Sequence, residues 1–129
     1  MSQSFLVTKK MSAKYFDKVS GKYSMDMWEH SHEIPREELL KRVKDKSAIF
    51  CTLVDKIDAQ LLDAAGPKLK TISTLSVGYD HIDVDECRKR NICVGNTPDV
   101  LTDAVAELTI SLLLATLRRL FEANKALRQ

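Results

Sequence analysis

The sequence predicts an α/β protein. It reads as a doubly wound, five-stranded parallel sheet in the order 2-1-3-4-5, with helices on both faces and a long helix at its C-terminal end. Short apolar runs alternate with amphipathic segments in a strict β-α-β-α-β-α-β-α-β-α order, the pattern of a parallel sheet covered by helices. Crossovers between parallel strands are right-handed, which together with double winding favours that strand order. The chain has 129 residues, 44% hydrophobic and 29% charged, enough for one domain with a real core.

Phe5 to Thr8 is a short buried-type strand followed by Lys9-Lys10. Ser12 is placed to cap a helix carrying Tyr15, Phe16 and Val19, which Gly21 ends. Tyr23 to Trp28 alternates as a second strand, and Glu29 to Glu33 is a polar loop. Pro35 suits the first turn of a helix running to about Lys44, with Leu39, Leu40 and Val43 facing inward. Ser47 to Leu53 is the third strand. Asp58 caps a helix over Ala59 to Ala65 that Gly66-Pro67 closes.

Leu69 to Leu75 is the fourth strand, and Ser76-Val77-Gly78 turns the chain toward a helix that opens at Asp83. Ile92 to Val94 is the fifth strand, Gly95 to Asp99 a loop, and Thr102 or Asp103 starts the last helix. That helix carries one apolar stripe of Ile110, Leu113, Leu114, Leu117 and Phe121, and another of Val105, Leu108, Leu112 and Ala115. A helix apolar on nearly every side calls for cover on nearly every side, so a partner domain or subunit is expected.

The net charge of +2, with Lys and Arg scattered among acids, argues against a nucleic-acid or anionic-membrane partner. The apolar run Ile110 to Leu117 is too short to span a bilayer. Cys51, Cys87 and Cys93 are odd in number and have no metal-ligand spacing. Cys51 and Cys93 sit in apolar runs, so reduced, buried thiols in a cytoplasmic setting are expected. The first residues have no charged-then-apolar leader, hence no secretory signal is expected.

The candidate site is the turn after the fourth strand. Open α/β sheets bind ligands at the carboxyl ends of their strands, and free amides at a tight turn can hold a small anion. Gly78 either admits a ligand close to the main chain or only permits the turn. Elsewhere the chemistry is thin. Glu29-His30-Ser31-His32-Glu33 lacks a third cluster for a metal, and none is expected. Asp55 sits where a phospho-receiver keeps its aspartate, but Lys9-Lys10 occupy the place of the acids that would hold Mg²⁺. Thr8 to Ser12 has no glycine for a flavin phosphate loop. His81 could be a general base by type, but no nucleophile or orienting partner stands near it in sequence, and a turn anchor is the plainer role. Asp80 and Asp83 are expected to bond backbone amides at the turn and helix start. No G-x-G-x-x-G, Walker or G-x-S-x-G pattern occurs.

Three stretches taken together carry a resemblance: Leu69-Lys-Thr-Ile-Ser-Thr-Leu-Ser-Val-Gly-Tyr-Asp-His-Ile-Asp83, then Cys87 to Pro98, then Asp99-Val-Leu-Thr-Asp-Ala-Val-Ala-Glu-Leu108 with Leu112 to Leu120. This sequence resembles the N-terminal part of the D-isomer-specific 2-hydroxyacid dehydrogenases of glyoxylate/hydroxypyruvate reductase type, most strongly from about Cys51 to Leu120. The resemblance implies a flavodoxin-like substrate domain over residues 1–101 and an interdomain and dimerisation helix over 102–129, with a Rossmann NAD(P)-binding domain outside this chain. It implies that the Val77 and Gly78 amides bind the substrate carboxylate, that Leu53 lines the substrate pocket, and that Thr102 lies near the nicotinamide. Glu107 belongs to the same signature, with helix anchoring as its reading.

The family's catalytic Arg, Glu and His match no residue here, so no catalytic residue is assigned. In the complete enzyme the resemblance implies hydride transfer from NADPH or NADH to a small 2-oxo acid, in a homodimer. This chain alone is expected to be inactive. The competing reading is a non-enzymatic module that binds small carboxylates and pairs through its last helix.

Overall fold

The structure, a computed structural model, describes residues 3–19 and 21–128; Met1 and Gln129, which bound the expected 1–101 and 102–129 segments, lie outside the described residues. The chain forms two compact units that part between Thr97 and Pro98.

The first unit holds the sheet. Its strands are β1 (Ser4–Val7), β2 (Ser24–Met27), β3 (Ala48–Cys51), β4 (Thr71–Thr74) and β5 (Cys93–Gly95). All pairings are parallel and the order is β2-β1-β3-β4-β5, as the sequence predicts. The direction of winding reverses at β1, which makes the gap between the carboxyl ends of β1 and β3 the topological switch point.

Period-2 alternation divides the core. Leu6, Ile49, Cys51 and Ile72 face α1 (Arg36–Arg42), α2 (Ala59–Ala65) and α3 (Val84–Lys89), and bury Leu39, Val43, Leu61, Leu62 and Cys87. Three successive right-handed crossovers in one direction place these helices on the same face. The other face carries Phe5 and Val7, covered by a single 3-10 turn at Ala13–Phe16, whose Phe16 ring meets Phe5 at 5.9 Å and Phe50 at 5.6 Å. Ser12 precedes that turn but makes no capping bond, so the full helix expected there shrinks to one turn.

Local signals place the remaining helices. Asp58 and Asp83 each accept a backbone N–H in the first turn they precede, from Leu61 and Glu86. Gly66, with φ of 76°, ends α2 in a conformation that suits a residue without Cβ. Pro35 stands one residue earlier than expected, at the N-cap of α1. Cys93 is a correction. It is exposed: its register with Thr71, and through Ala48 with Phe5, puts it on the face that carries Phe5 and Val7, but on the edge strand β5, where the 3-10 turn gives no cover.

The second unit contains α4 (Thr102–Leu117) and α5 (Leu120–Leu127). The expected long helix is therefore broken. Arg119 adopts φ of 53° and ψ of 37°, which ends α4 after a tightened last turn and restarts the chain as α5. No residue of either helix is buried, and Val105, Leu108, Leu112, Leu113 and Leu114 are each more than half exposed. No helix among the described residues is long and apolar enough to cross a membrane.

Candidate functional site

An open cleft of about 970 Å³ lies at the switch point, lined by Thr8 to Met11 beyond β1, by Thr52 to Asp55 beyond β3, and by Leu75 beyond β4. Its base is a clasp around Asp55, a buried carboxylate. One oxygen, Oδ2, accepts from Thr8 Oγ1 at 2.6 Å, from the Thr52 amide at 2.8 Å and from Thr52 Oγ1 at 3.0 Å. These bonds join the ends of β1 and β3 and hold out Leu53 and Val54, which are 65% and 50% exposed. Leu53 lines the cleft.

The turn after β4 has a definite peptide orientation. The Thr97 amide donates to the Ser76 carbonyl at 3.0 Å, Asn96 Nδ2 donates to the Val77 carbonyl at 2.7 Å, and Ser76 Oγ donates to the Gly78 carbonyl at 2.7 Å. Among the described residues no peptide bond is cis. A trans peptide points its N–H opposite to its C=O. Tying back the carbonyls of Ser76 and Val77 therefore turns the amides of Val77 and Gly78 away from the β5 loop. Among the described residues these amides meet no acceptor. Successive amides left free in a turn form an anion-binding concavity.

Gly78 is not required by the turn itself. Its φ lies outside the left-handed region, and a Cβ built on it meets nothing within 4 Å. The open space beside Gly78 is what a ligand approaching the main chain needs.

A hydroxyl relay stiffens the turn from beneath. Thr74 Oγ1 lies 2.8 Å from Ser76 Oγ and 2.9 Å from His81 Nε2. Ser76 spends its only hydrogen on the Gly78 carbonyl, so it accepts from Thr74. Thr74 in turn accepts from His81, whose Nε2 carries a hydrogen. The His81 carbonyl accepts from the Ile57 amide at 2.8 Å. His81 thus anchors the turn. Asp80 makes no hydrogen bond to the described residues, whereas Asp83 makes the expected cap.

Leu53 and Leu75 share the cleft; Val77 and Gly78 follow Leu75 in the chain, are exposed, and do not line it. Thr102 is the first residue of α4, in the second unit. The clasp is not legible in the sequence, where Asp55 matches only the position of a phosphate acceptor. Burial pushes the Cys51 thiol up to about 12, so it stays protonated behind β3. His32 also lines the cleft, and its ring clusters with those of Trp28 and His30 in tilted and edge-to-face contacts, with centroids 4.4 to 5.5 Å apart. Among the described residues no cluster of three His, Cys, Asp or Glu could hold a metal.

Residues 5–127 match the model of the D-isomer specific 2-hydroxyacid dehydrogenase catalytic domain. A glyoxylate reductase of Thermococcus onnurineus is 43% identical over 99% of this chain and 38% of its own length. The human glyoxylate reductase/hydroxypyruvate reductase is 52% identical over 77% of this chain and 30% of its own. A crystal structure of a Thermus thermophilus protein superposes with a TM-score of 0.83 at 38% identity, covering 98% of this chain and 40% of that one. An NADPH-dependent glyoxylate/hydroxypyruvate reductase of Sinorhizobium meliloti, solved with NADP and malonate, superposes at 0.70 with 33% identity, covering 100% and 39%. The chain spans well under half the length of each of these relatives.

Proposed function

The chain belongs to the D-isomer specific 2-hydroxyacid dehydrogenase family by its match over residues 5–127, and from that premise we propose that it is the substrate-domain portion of an NAD(P)H-dependent reductase of small 2-oxo acids, of glyoxylate/hydroxypyruvate reductase type. The observation that carries this reading is the pair of outward amides at Val77 and Gly78, fixed by tied-back carbonyls and left without acceptors among the described residues. Two N–H groups side by side suit a carboxylate, and the fixed turn leaves little to reorganise on binding. Leu53, exposed in the cleft, is proposed as an apolar wall of the substrate pocket.

Residues 1–101 act in this reading as the substrate domain. Residues 102–129 join it to its neighbours, a nucleotide-binding domain and a second copy of the chain. The exposed apolar residues on all sides of α4 support that role. A bound nicotinamide would supply a hydride. The residues present do not fit its pyrophosphate: the glycines stand at 21, 66, 78 and 95, too far apart for a glycine-rich phosphate turn. Thr102 is proposed to lie near the nicotinamide when that domain is in place. No residue of this chain is assigned the acid or base role, since His81 directs its Nε2 hydrogen to Thr74. Three free cysteines suit a reducing, cytoplasmic setting.

The test compares the longest natural product of the coding sequence with residues 1–129 alone, each assayed for NADPH- and NADH-dependent reduction of glyoxylate and hydroxypyruvate. The longer product is expected to be active and the short chain to match a heat-killed control. Inactivity of a product that continues into a glycine-rich nucleotide loop would overturn the reading. A native stop codon after residue 129 would favour the non-enzymatic carboxylate-binding module.

A further inference from the structure

We infer that Asn96 is a positioning residue for the carboxylate site, acting through the Val77 peptide and touching no substrate itself. The inference rests on the reading that Val77 and Gly78 bind a carboxylate. Asn96 follows β5, and its Nδ2 donates to the Val77 carbonyl at 2.7 Å across 19 residues of chain. A carbonyl only accepts, so the amide nitrogen of Asn96 must be the atom facing it. That carbonyl belongs to the peptide whose N–H is the Gly78 amide. Holding one end of the planar unit aims the other.

The neighbouring peptide is held by main chain, through the Thr97 amide on the Ser76 carbonyl at 3.0 Å. The Gly78 peptide plane depends on a side chain. Nothing in the sterics at Gly78 replaces that hold, since its φ is unexceptional and the space beside it is open. Without Asn96 the Val77–Gly78 peptide is free to rotate, and one of the two aimed donors is lost for much of the time. Asn96 is half-buried in a surface loop, so its replacement leaves the core untouched.

The test uses the 129-residue chain, ¹⁵N-labelled, titrated with oxalate as a non-reacting stand-in for a 2-oxo acid. Amide shifts at Val77 and Gly78 are followed in the wild type, in Asn96→Ala and in Asn96→His, whose ring Nδ1 can supply an N–H donor at similar reach. Thermal unfolding of each serves as the fold control. The wild type is expected to show saturable shifts at both amides. Asn96→Ala is expected to bind at least about fivefold more weakly, with an unchanged unfolding midpoint, and Asn96→His to recover most of that loss. Equal affinity in wild type and Asn96→Ala would overturn the inference while leaving the carboxylate site standing, as would a loss that Asn96→His does not recover. Absence of any shift in the wild type would remove the carboxylate reading itself.

Discussion

The Thr8 hydroxyl donates to Oδ2 of Asp55 at 2.6 Å, joining the ends of β1 and β3 across 47 residues of chain. Both side chains are buried, with Thr8 2% and Asp55 5% exposed. The same oxygen takes the amide and hydroxyl of Thr52, so the loop carrying Leu53 is fixed to the first strand where the cleft opens.

Asp55→Ala strips the acceptor from two buried hydroxyls and one buried amide. A buried donor left without a partner costs on the order of 1–3 kcal/mol, and the three share one site, so a loss of about 3 kcal/mol is expected. Urea unfolding of wild type and variant measures it. A loss below about 1 kcal/mol would mean that water replaces the carboxylate without difficulty.

Gly78→Ala separates fold from function. A methyl there meets no protein atom within 4 Å, and the backbone conformation suits alanine. Stability is expected to stay within about 1 kcal/mol of wild type, with a slight gain allowed by the stiffer unfolded chain. Carboxylate binding, or KM for a 2-oxo acid in the complete enzyme, is expected to worsen at least about tenfold as the methyl fills the approach. Unchanged binding would return Gly78 to the role of an ordinary turn residue.

The Asp58 cap predicts a pH dependence. Burial alone would raise its carboxyl, but the Arg36 guanidinium and the Leu61 amide outweigh that and bring it below the usual aspartate value. A depressed folded-state value stabilises the protein above the unfolded value of about 3.9 and is lost as pH falls through the lower folded one. Asp58→Ala is expected to cost about 1 kcal/mol at pH 6, a difference that shrinks below about pH 4. Unfolding curves across that range test the sign. A gap that widens in acid would contradict it.

The thiols should differ in reactivity. Burial raises Cys51 to about 12 and also raises Cys87, whereas Cys93 is exposed. Ellman's reagent at pH 8 is expected to label one thiol quickly, and Cys93→Ser should abolish that phase. The raised Cys51 value also has a sign. The unfolded thiol ionises first, near 9.0, so stability should fall as pH rises from there toward about 12. Two fast-reacting thiols in the native protein would contradict the burial of Cys51 and Cys87.

The parts of this molecule that local chemistry controls were legible in the chain. Short apolar runs marked all five strands, and Asp58 and Asp83 announced α2 and α3 because a cap acts within three residues. The amides at Val77 and Gly78 were visible as a strand end meeting a turn. What escaped depended on residues distant in sequence. Nothing near Asp55 points to Thr8, and nothing near Val77 points to Asn96. Cys93 lies in an apolar run, yet alternation cannot say which sheet face a helix will cover. The break at Arg119 carries no glycine or proline to mark it. Ser12 has the residue type of a cap, but its side chain makes no capping bond and the segment stays a single turn.

The most direct measurement is a crystal structure of this chain grown with oxalate. A carboxylate oxygen within about 3 Å of both the Val77 and Gly78 nitrogens, with the Asn96–Val77 bond intact, is the predicted result. Oxalate bound elsewhere, for instance against Lys9 and Lys10, with the Val77 and Gly78 amides turned onto protein acceptors, would contradict the account.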